Sequence, residues 1–451
     1  MITARAAATR ALLAVTARQQ TLATAIDAER RALTDVRDRG LALELLAGAL
    51  RWRAVLDRLI EDASGRALAS IDPSALAVLR IAVYQLEYLE RVPDHAVVSE
   101  SVETARAVGA ARAAGFVNAV LRQAIRRRGR SRLPPDPGAA GSRRQQLAYL
   151  ETTLSHPGWL VERWLTRVGY EATRRWCEWN NTPPTVTLRP RRGTAEALLD
   201  TLQRAGVAAE PAPFVQDAIR IPPGALGSLD AACRGAVWVQ DEGAQLVARA
   251  AGVRPGERVL DLCAAPGGKS IVLARDLELD GPARSLLVSA DFRPGRIKLL
   301  ASTLRHDRES PAIVRLDARQ PLPFASVFDC VVVDAPCSGL GTLSRDPDLK
   351  WTRTASDLPA LVAVERQILD RAAEAVRPGG RLVYATCSSE PEENGEVVED
   401  FLRAHRDFTP ARVAPSVPDA LVDPEGRLAT RPDVHGLDAF FAATLVRHGT
   451  A

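Results

Sequence analysis

The sequence predicts a multidomain protein: an all-α front domain, a small α+β middle module, and a C-terminal α/β domain with a doubly wound, Rossmann-like sheet. Residues 3–128 are dominated by Ala, Leu, Arg and Glu, and their few Pro and Gly fall at joints between helices. From residue 185 to 240, short strand and helix patterns interleave. From Gly256 onward, apolar strand runs alternate regularly with helices, which is typical of a doubly wound sheet. The expected boundaries are 1–130, a linker at 131–155, 156–245 and 246–451.

Length and composition exclude several classes of protein. No apolar run in the 451 residues approaches the roughly 20 residues of a membrane span, and Met1–Gln20 lacks a signal-peptide core. The six cysteines show neither paired spacing nor the spacing of metal ligands. This favours free thiols in a reducing cytoplasm over a disulfide scaffold or a zinc site. We therefore expect a cytoplasmic monomer with no metal and no membrane partner.

Charge is unevenly distributed along the chain. Residues 1–135 hold 21 Arg against 14 acidic residues, a net charge of +7, whereas the whole chain carries +4. A basic N-terminal part favours a polyanionic partner, most simply nucleic acid. The alternative is a solvated, Arg-rich surface without a partner.

The front domain has clear helix signals. Asp72-Pro73 predicts a helix start, with Asp as the N-cap and Pro in the first turn, and an apolar run follows it. Asn118 lies within another apolar helix pattern, where we expect it to be buried and to brace the bundle through hydrogen bonds. These observations indicate structure and carry no chemistry.

A strand, a glycine turn and a helix start follow one another at Val259–Ser270. Val259, Leu260 and Leu262 form a short apolar strand, and the Pro-Gly-Gly turn leads into a helix expected at Ile271–Leu277. Unpaired N–H groups at the start of that helix suit a carboxylate or a phosphate, although a purely structural turn remains open.

Polar and thiol side chains stand at the ends of the strands that follow. In an open parallel sheet the carboxyl ends of the strands line one crevice, so we expect these side chains to converge there. The residues concerned are Cys263, Asp291, Asp334, Cys337 and Cys387. An acidic residue at the end of the second strand, here Asp291, suits the hydroxyls of a ribose. Only three lysines occur in the chain, so Lys269 beside the glycine turn suggests a need for a compact ammonium group.

The front domain carries a resemblance to a known family. The stretches that carry it are Asp38–Trp52, Tyr84–Leu86 and Phe116–Arg122. These resemble the NusB-type helical domain, which binds RNA alone or fused to an enzyme. The resemblance implies that residues 1–130 contact RNA.

A second resemblance covers the C-terminal domain. The stretches Asp261–Ser270, Asp334–Thr342, Pro347–Trp351 and Ala385–Ser388 are similar to those of the Sun family of RNA cytosine-C5 methyltransferases. The resemblance implies S-adenosylmethionine as cofactor and RNA as partner, with small-subunit (16S) ribosomal RNA favoured and tRNA as the alternative. It also implies a cofactor site, formed by Cys263, Ala264, Ala265, Pro266, Gly267, Gly268, Lys269, Asp291, Asp317 and Asp334.

The chemistry explains why thiols are needed. C5 of cytosine is a poor nucleophile until a thiolate adds to C6, which is a form of covalent catalysis. Position alone leaves open which of Cys337 and Cys387 attacks. The resemblance assigns attack to Cys387, assistance in release to Cys337, and a contact with the cytosine ring to Asp334. Cys330 lies inside a strand and is expected to be core, whereas Cys177 and Cys233 are expected to be incidental.

Two other classes of function compete with this reading. A non-catalytic RNA-binding or transcription factor is suggested by the NusB-like front alone, and it would not bind S-adenosylmethionine. A nucleotide-dependent oxidoreductase would use a similar sheet, but the glycine turn lacks the G-x-G-x-x-G pattern.

Overall fold

A computed structural model of the chain describes residues 2–130, 133–229, 231–279, 281–305 and 311–449. The chain forms two compact units. The first contains Met1–Pro183 together with Leu343–Ala355, and the second contains Pro184–Thr342 and Ser356–Ala451. The finer boundaries given above remain a prediction.

The first unit is helical, as its composition predicts. Its α-helices are Ala4–Thr16, Leu22–Arg30, Val36–Arg51, Arg53–Ser64, Pro73–Tyr88, Asp94–Ala107, Ala114–Arg127, Arg143–Ala148, Gly158–Asn181 and Leu349–Thr352. Caps fix where several of them begin and end. The Asp72 side chain accepts a hydrogen bond from the Ala75 amide, with Pro73 in the first turn, so this predicted start is confirmed. Gly65 ends the helix Arg53–Ser64 in the left-handed conformation.

The core of this unit is built from Ala, Leu, Val and Ile of the front helices. Leu45, Leu46 and Leu79, among others, are fully buried. Asn118 does not belong to this core, contrary to expectation. Its side chain is half-buried and accepts a surface hydrogen bond of 3.1 Å from Arg122 Nε. The neighbouring Val117 points into the core instead, so no bracing role remains for the amide.

The segment Leu343–Ala355 lies far along the sequence but packs within the helical unit. Lys350 is completely buried there, and its Nζ donates to the carbonyls of Arg51 and Ser155, at 3.3 Å each, and to Asn181 Oδ1 at 2.7 Å. Burial holds the pKa of Lys350 well below its usual range. Trp351 adds a 2.6 Å hydrogen bond from its indole Nε1 to the Leu50 carbonyl. This segment therefore completes the interior of the helical unit.

We expect Lys350→Ala to lower the free energy of unfolding of the helical unit by roughly 2–4 kcal/mol. The substitution leaves buried acceptors without a donor and opens a cavity. Urea unfolding followed by far-ultraviolet circular dichroism measures this change. Lys298→Ala is the matched control, because Lys298 is exposed and its loss should change stability by less than about 0.5 kcal/mol. Equal effects of the two substitutions would contradict the conclusion that Lys350 stabilises the interior of the helical unit.

The second unit begins with a small antiparallel sheet. Its strands are β1 (Val186–Pro190), β2 (Glu210–Pro211), β3 (Ile219–Ile221) and β4 (Val237–Val239), in the order β2-β3-β1-β4. The helix Ala195–Arg204 packs Leu198 and Leu202 against this sheet. Alternating apolar residues and the intervening helix predicted this module.

A large sheet follows. Its strands are β5 (Arg258–Leu262), β6 (Leu286–Asp291), β7 (Ala312–Arg315), β8 (Phe328–Asp334), β9 (Val376–Thr386), β10 (Phe408–Ala411), β11 (Leu428–Ala429) and β12 (Phe441–Arg447). The order is β10-β12-β9-β8-β5-β6-β7, with β11 paired to β12. From β7 to β9 the neighbours are parallel, whereas β12 runs antiparallel to β9. The doubly wound sheet is confirmed; β10 and β11, which are short, were not predicted.

Helices cover this sheet. They are Glu242–Ala250, Gly268–Asp276, Pro294–Leu304, Leu358–Ala375 and Gly395–Ala404, with the shorter Ala231–Gly235 and Pro432–His435 elsewhere in the unit. Val331 and Val332 of β8 belong to different core clusters, as expected for a strand covered on both faces. In the described parts of the chain, no helix has both the length and the apolar character needed to cross a membrane.

Candidate active site

The strand order brings the predicted residues to one edge of the sheet. Because β9, β8, β5 and β6 are consecutive parallel neighbours, the loops at their carboxyl ends are adjacent. Cys263 follows β5, Asp291 ends β6, Asp334 ends β8, and Cys387 directly follows β9. The predicted convergence of these positions is therefore observed. The contacts and burial of each loop determine which chemical roles its side chains can take.

The loop 263–269 is shaped by its backbone. Cys263 has a φ of 61° and Gly267 a φ of 108°, where glycine is the residue that fits without strain. A Cβ on Gly267 would approach Leu300 Cδ1 to 3.0 Å. Gly267 then caps the helix Gly268–Asp276, which begins three residues earlier than its apolar pattern suggested. Ala264, Ala265 and Pro266 form the tight turn between strand and helix.

Asp291 is buried and surrounded by donors. Its Oδ1 accepts from the amides of Phe292 (2.8 Å) and Arg293 (3.3 Å), and its Oδ2 accepts from the Ala265 amide (3.3 Å) and from Arg296 Nε (3.0 Å). The carboxylate thus joins the end of β6 to the glycine loop. Phe292 is 46 % exposed beside it, a large apolar surface that the sequence reading did not single out.

Asp317 lies just beyond β7. Arg319 holds it through hydrogen bonds of 2.9 Å to Oδ1 and 2.7 Å to Oδ2. This hydrogen bonding, more than any other cause, lowers the pKa of Asp317. The Arg319 guanidinium also lies 5.2 Å from the centre of the Phe292 ring. Asp317 and Phe292 therefore share one neighbour and flank the end of β6.

Lys269 and Asp334 form an ion pair. Lys269 Nζ donates to Asp334 Oδ2 at 2.7 Å, joining the glycine loop to the end of β8. Burial alone would lower the pKa of Lys269, but Asp334 outweighs burial, and charge on Cys387 adds to the rise. The ammonium group therefore stays protonated beside the second cysteine.

Asp261 lies under the loop, fully buried within β5. Its Oδ2 accepts from Ser270 Oγ at 2.6 Å, and no hydrogen-bond partner is described for its Oδ1. Burial raises the pKa of this carboxyl to about 7. A buried acceptor and the glycine cradle are features that suit a ligand carrying an amino group, so these residues fit a cofactor with a methionyl end.

The two cysteines meet. Cys337 Sγ lies 3.4 Å from Cys387 Sγ and also accepts from the Cys387 amide at 3.4 Å. Hydrogen bonding to Cys387 and then burial raise the pKa of Cys337 well above its usual range. Cys337 therefore keeps its proton while it faces the other sulfur.

Of the remaining cysteines, Cys263 lies in the glycine loop, and the other three lie outside the loops at this edge. Cys330 and Cys177 are fully buried, in agreement with a core position for Cys330, and burial raises the pKa of both thiols. Burial also raises the pKa of Cys263, with Asp291 contributing. Cys233 is half-buried in the small module. In the described ranges, three or more His, Cys, Asp or Glu side chains are nowhere grouped as metal ligands.

We expect the free energy of unfolding to depend on pH because Asp261 is protonated in the folded state. The unfolded carboxyl ionises near its ordinary pKa, whereas the folded one holds its proton to about pH 7, so stability falls as pH rises through this window. Between pH 5 and pH 8 the fall should be roughly 2–3 kcal/mol. Asp261→Asn cannot titrate and should remove this part of the slope in urea unfolding. Parallel pH profiles for the two proteins would refute the assignment.

The family comparisons agree with this architecture. Residues 250–446 match the family 16S rRNA methyltransferase RsmB/F, residues 2–126 the NusB family, and residues 156–224 the Methyltr_RsmF/B-like, ferredoxin-like domain. The three matches cover both units. They correspond to the helical front, the middle module and the large sheet.

Individual relatives are similar over nearly the full length. The "Probable ribosomal RNA small subunit methyltransferase B" of Bacillus subtilis (strain 168) is 36 % identical over 428 residues, 91 % of each chain. The "Ribosomal RNA small subunit methyltransferase B" of Pseudomonas putida KT2440 is 34 % identical over 450 residues, 98 % of each. The crystal structure of PH0851 has the same fold, with a TM-score of 0.79, 23 % identity and 99 % coverage of both chains.

Proposed function

The chain belongs to the RsmB/F family of 16S rRNA methyltransferases, and we propose that it methylates C5 of a cytosine in small-subunit ribosomal RNA through a covalent Cys387–C6 adduct. The observation that carries the proposal is the pair of facing thiols, 3.4 Å apart, at the edge of a methyltransferase sheet. Its cofactor is S-adenosylmethionine. When bound, this cofactor supplies an electrophilic methyl group.

Covalent attack makes C5 reactive. As the Cys387 sulfur bonds to C6, the electrons of the C5–C6 double bond move into the ring, and C5 becomes the nucleophilic carbon of an enamine. After methylation C5 carries both a methyl group and a proton. Removal of that proton returns the electrons to the C5–C6 bond and expels the sulfur. The reaction therefore needs a nucleophile and a separate group that helps the proton to leave.

The electrostatics support Cys387 as the nucleophile. Cys337 retains its proton because it faces Cys387, so it is poorly suited to attack. The Lys269 ammonium group interacts favourably with charge on Cys387. In this assignment Cys387 attacks. Once the Cys387 sulfur is bonded to C6, the hydrogen bond that keeps Cys337 protonated is lost. Cys337 then gives its proton to solvent and, as a thiolate, accepts the C5 proton so that Cys387 is released.

Asp334 would orient the target base. Its Oδ2 is held by Lys269, and 26 % of its side chain remains exposed. A carboxylate accepts hydrogen bonds from a protonated N3 and from the exocyclic amine of cytosine, which stabilises the ring during attack. The base must be unstacked to reach this position.

The cofactor-binding roles fall on the loops already described. We assign the ribose hydroxyls to Asp291, the adenine to the surroundings of Asp317 and Phe292, and the methionyl end to loop 263–269 with Lys269. Asp291 bears hydrogen-bond-accepting oxygens at the end of β6, the position at which ribose hydroxyls are held in doubly wound folds.

The front unit would supply RNA affinity. Residues 2–126 match the NusB family, and residues 1–135 carry a net charge of +7. Such an excess supports salt-sensitive contacts with phosphates. Assaying 16S rRNA fragments and tRNA side by side distinguishes ribosomal RNA from the alternative substrate.

We expect Asp291→Ala to weaken S-adenosylmethionine binding by about 1–3 kcal/mol, the range for lost charge-assisted hydrogen bonds. Calorimetry measures the dissociation constant. Asp329→Ala is the matched control: Asp329 also accepts from a backbone amide (Arg258, 2.7 Å) and from an arginine (Arg377), but it lies near the start of β8. Normal affinity in the Asp291 variant would reduce this carboxylate to a strand cap.

The roles of the two thiols are separable on a denaturing gel. Cys387→Ala should give neither methylated RNA nor a covalent RNA–protein band. Cys337→Ala should attack and transfer methyl but stall before release, so that the covalent band accumulates. Cys233→Ala, packed against the core of the small antiparallel module, serves as the control and should behave as the unaltered protein.

Other outcomes are informative. A covalent band that accumulates in Cys387→Ala would reverse the two assignments. Its absence from both variants would reject the two-thiol scheme. A failure of the unaltered protein to methylate any cytosine would reject the proposed function itself.

A further inference from the structure

One buried carboxylate connects the two cysteine loops. Glu393 is 0 % exposed and lies in the 3₁₀ turn Pro391–Glu393 that follows β9. Its Oε1 accepts from the Ser338 amide at 2.7 Å, and its Oε2 accepts from Ser338 Oγ at 2.6 Å and from Ser388 Oγ. Ser338 follows Cys337 and Ser388 follows Cys387 in the sequence. A single carboxylate therefore holds the residue next to each thiol.

Further contacts close the arrangement around the same two serines. Ser338 Oγ and Ser388 Oγ are 3.3 Å apart, and Asn394 Nδ2 donates to the Ser388 carbonyl at 3.0 Å. Gly341 continues the first loop, and its amide donates to the Cys387 carbonyl at 2.9 Å. A Cβ on Gly341 would collide with the Ala439 carbonyl. The loops are thus in backbone contact, with Glu393 at their centre.

Glu365, a second buried carboxyl group, lies beside Glu393 and serves as a comparison. It is also 0 % exposed, and burial, reinforced by Glu393, raises its pKa to about 10, so it is neutral at physiological pH. The Tyr384 hydroxyl lies 3.2 Å from Glu365 Oε2 and donates to the main-chain carbonyl of Glu393 at 2.6 Å. The two carboxyl groups are neighbours, but only Glu393 bonds to the serines beside the cysteines.

We propose that Glu393 is a positioning residue for methyl transfer: its carboxylate joins the Cys337 and Cys387 loops and so sets the separation of the two thiols. This role rests on the proposed function. Glu393 touches neither RNA nor cofactor in it, and acts only through Ser338 and Ser388. Both oxygens must accept hydrogen bonds, which a carboxylate does and an amide does not.

The test makes the same substitution at both positions. Glu393→Gln replaces one accepting oxygen by a donating NH₂ that faces the serines. Glu365→Gln replaces a neutral acid by a neutral amide of the same shape. The measurements are kcat, KM for RNA, the dissociation constant for S-adenosylmethionine, and the rate at which diamide oxidises Cys337 and Cys387 to a disulfide, quantified by peptide mass spectrometry.

We expect Glu393→Gln to lower kcat about 100-fold, the scale for a misplacement of about 1 Å. Cofactor affinity should stay within about twofold, because loop 263–269 does not contact Glu393, and the disulfide should form at least about fivefold more slowly. All quantities for Glu365→Gln should stay within about threefold of the unaltered protein. Ser388→Ala removes one bond to the carboxylate, so it should lower kcat about tenfold while the melting temperature is maintained, even if Glu393→Gln does not fold.

Two results would overturn the proposal. One is an unchanged kcat and disulfide rate in both Glu393→Gln and Ser388→Ala. The other is a parallel loss of cofactor affinity, melting temperature and kcat, which would reduce Glu393 to a general structural role. Diamide oxidation needs no RNA, so it decides the positioning role even if the unaltered protein proves not to methylate cytosine.

Discussion

The parallel pairing of β8 with β9 is the constraint on which the site depends. Five consecutive residue pairs, from Cys330 with Arg381 to Asp334 with Ala385, bring the carboxyl ends of these strands level. Residues only a few positions beyond those ends can then touch although 50 positions separate them in sequence. The apolar residues of both strands hold this register, because a slip by one residue would turn every buried side chain to the other face. Chemistry at the sheet edge is thus maintained by packing in its middle.

Much of this edge could be predicted from the sequence. Buried parallel strands are continuous apolar runs, and the first residues after such runs fall at one edge whatever the loops do. That is why Asp291, Asp334 and Cys387 could be placed without coordinates. The helices of the front unit could also be predicted, because N-caps such as Asp72 are local sequence signals.

What could not be predicted depends on contacts between distant residues. The bonds of Glu393 to Ser338 span 55 positions, and nothing in the local pattern of an acidic stretch distinguishes a buried carboxylate from a solvated one. The burial of Lys350 could not be predicted for the same reason, because a lysine in a polar segment is ordinarily exposed. For Asn118 the error was the reverse: a side chain expected to be buried lies at the surface. One position along a helix is enough to separate a core side chain from a surface one.

The segment Leu343–Ala355 has a consequence for how the protein is made. Asp348 accepts from the Leu22 amide at 3.0 Å, and Lys350 occupies the interior of a unit whose other residues end at Pro183. Ribosomes add about 5–20 residues per second, so on the order of ten seconds or more separate the synthesis of Pro183 from that of Leu343–Ala355, the segment that completes the interior of the unit. During that interval the nascent front unit exposes buried acceptors such as Asn181. Its completion therefore waits for the synthesis of residues 184–342 of the second unit, which couples the folding of the front unit to the appearance of the first strands of the large sheet.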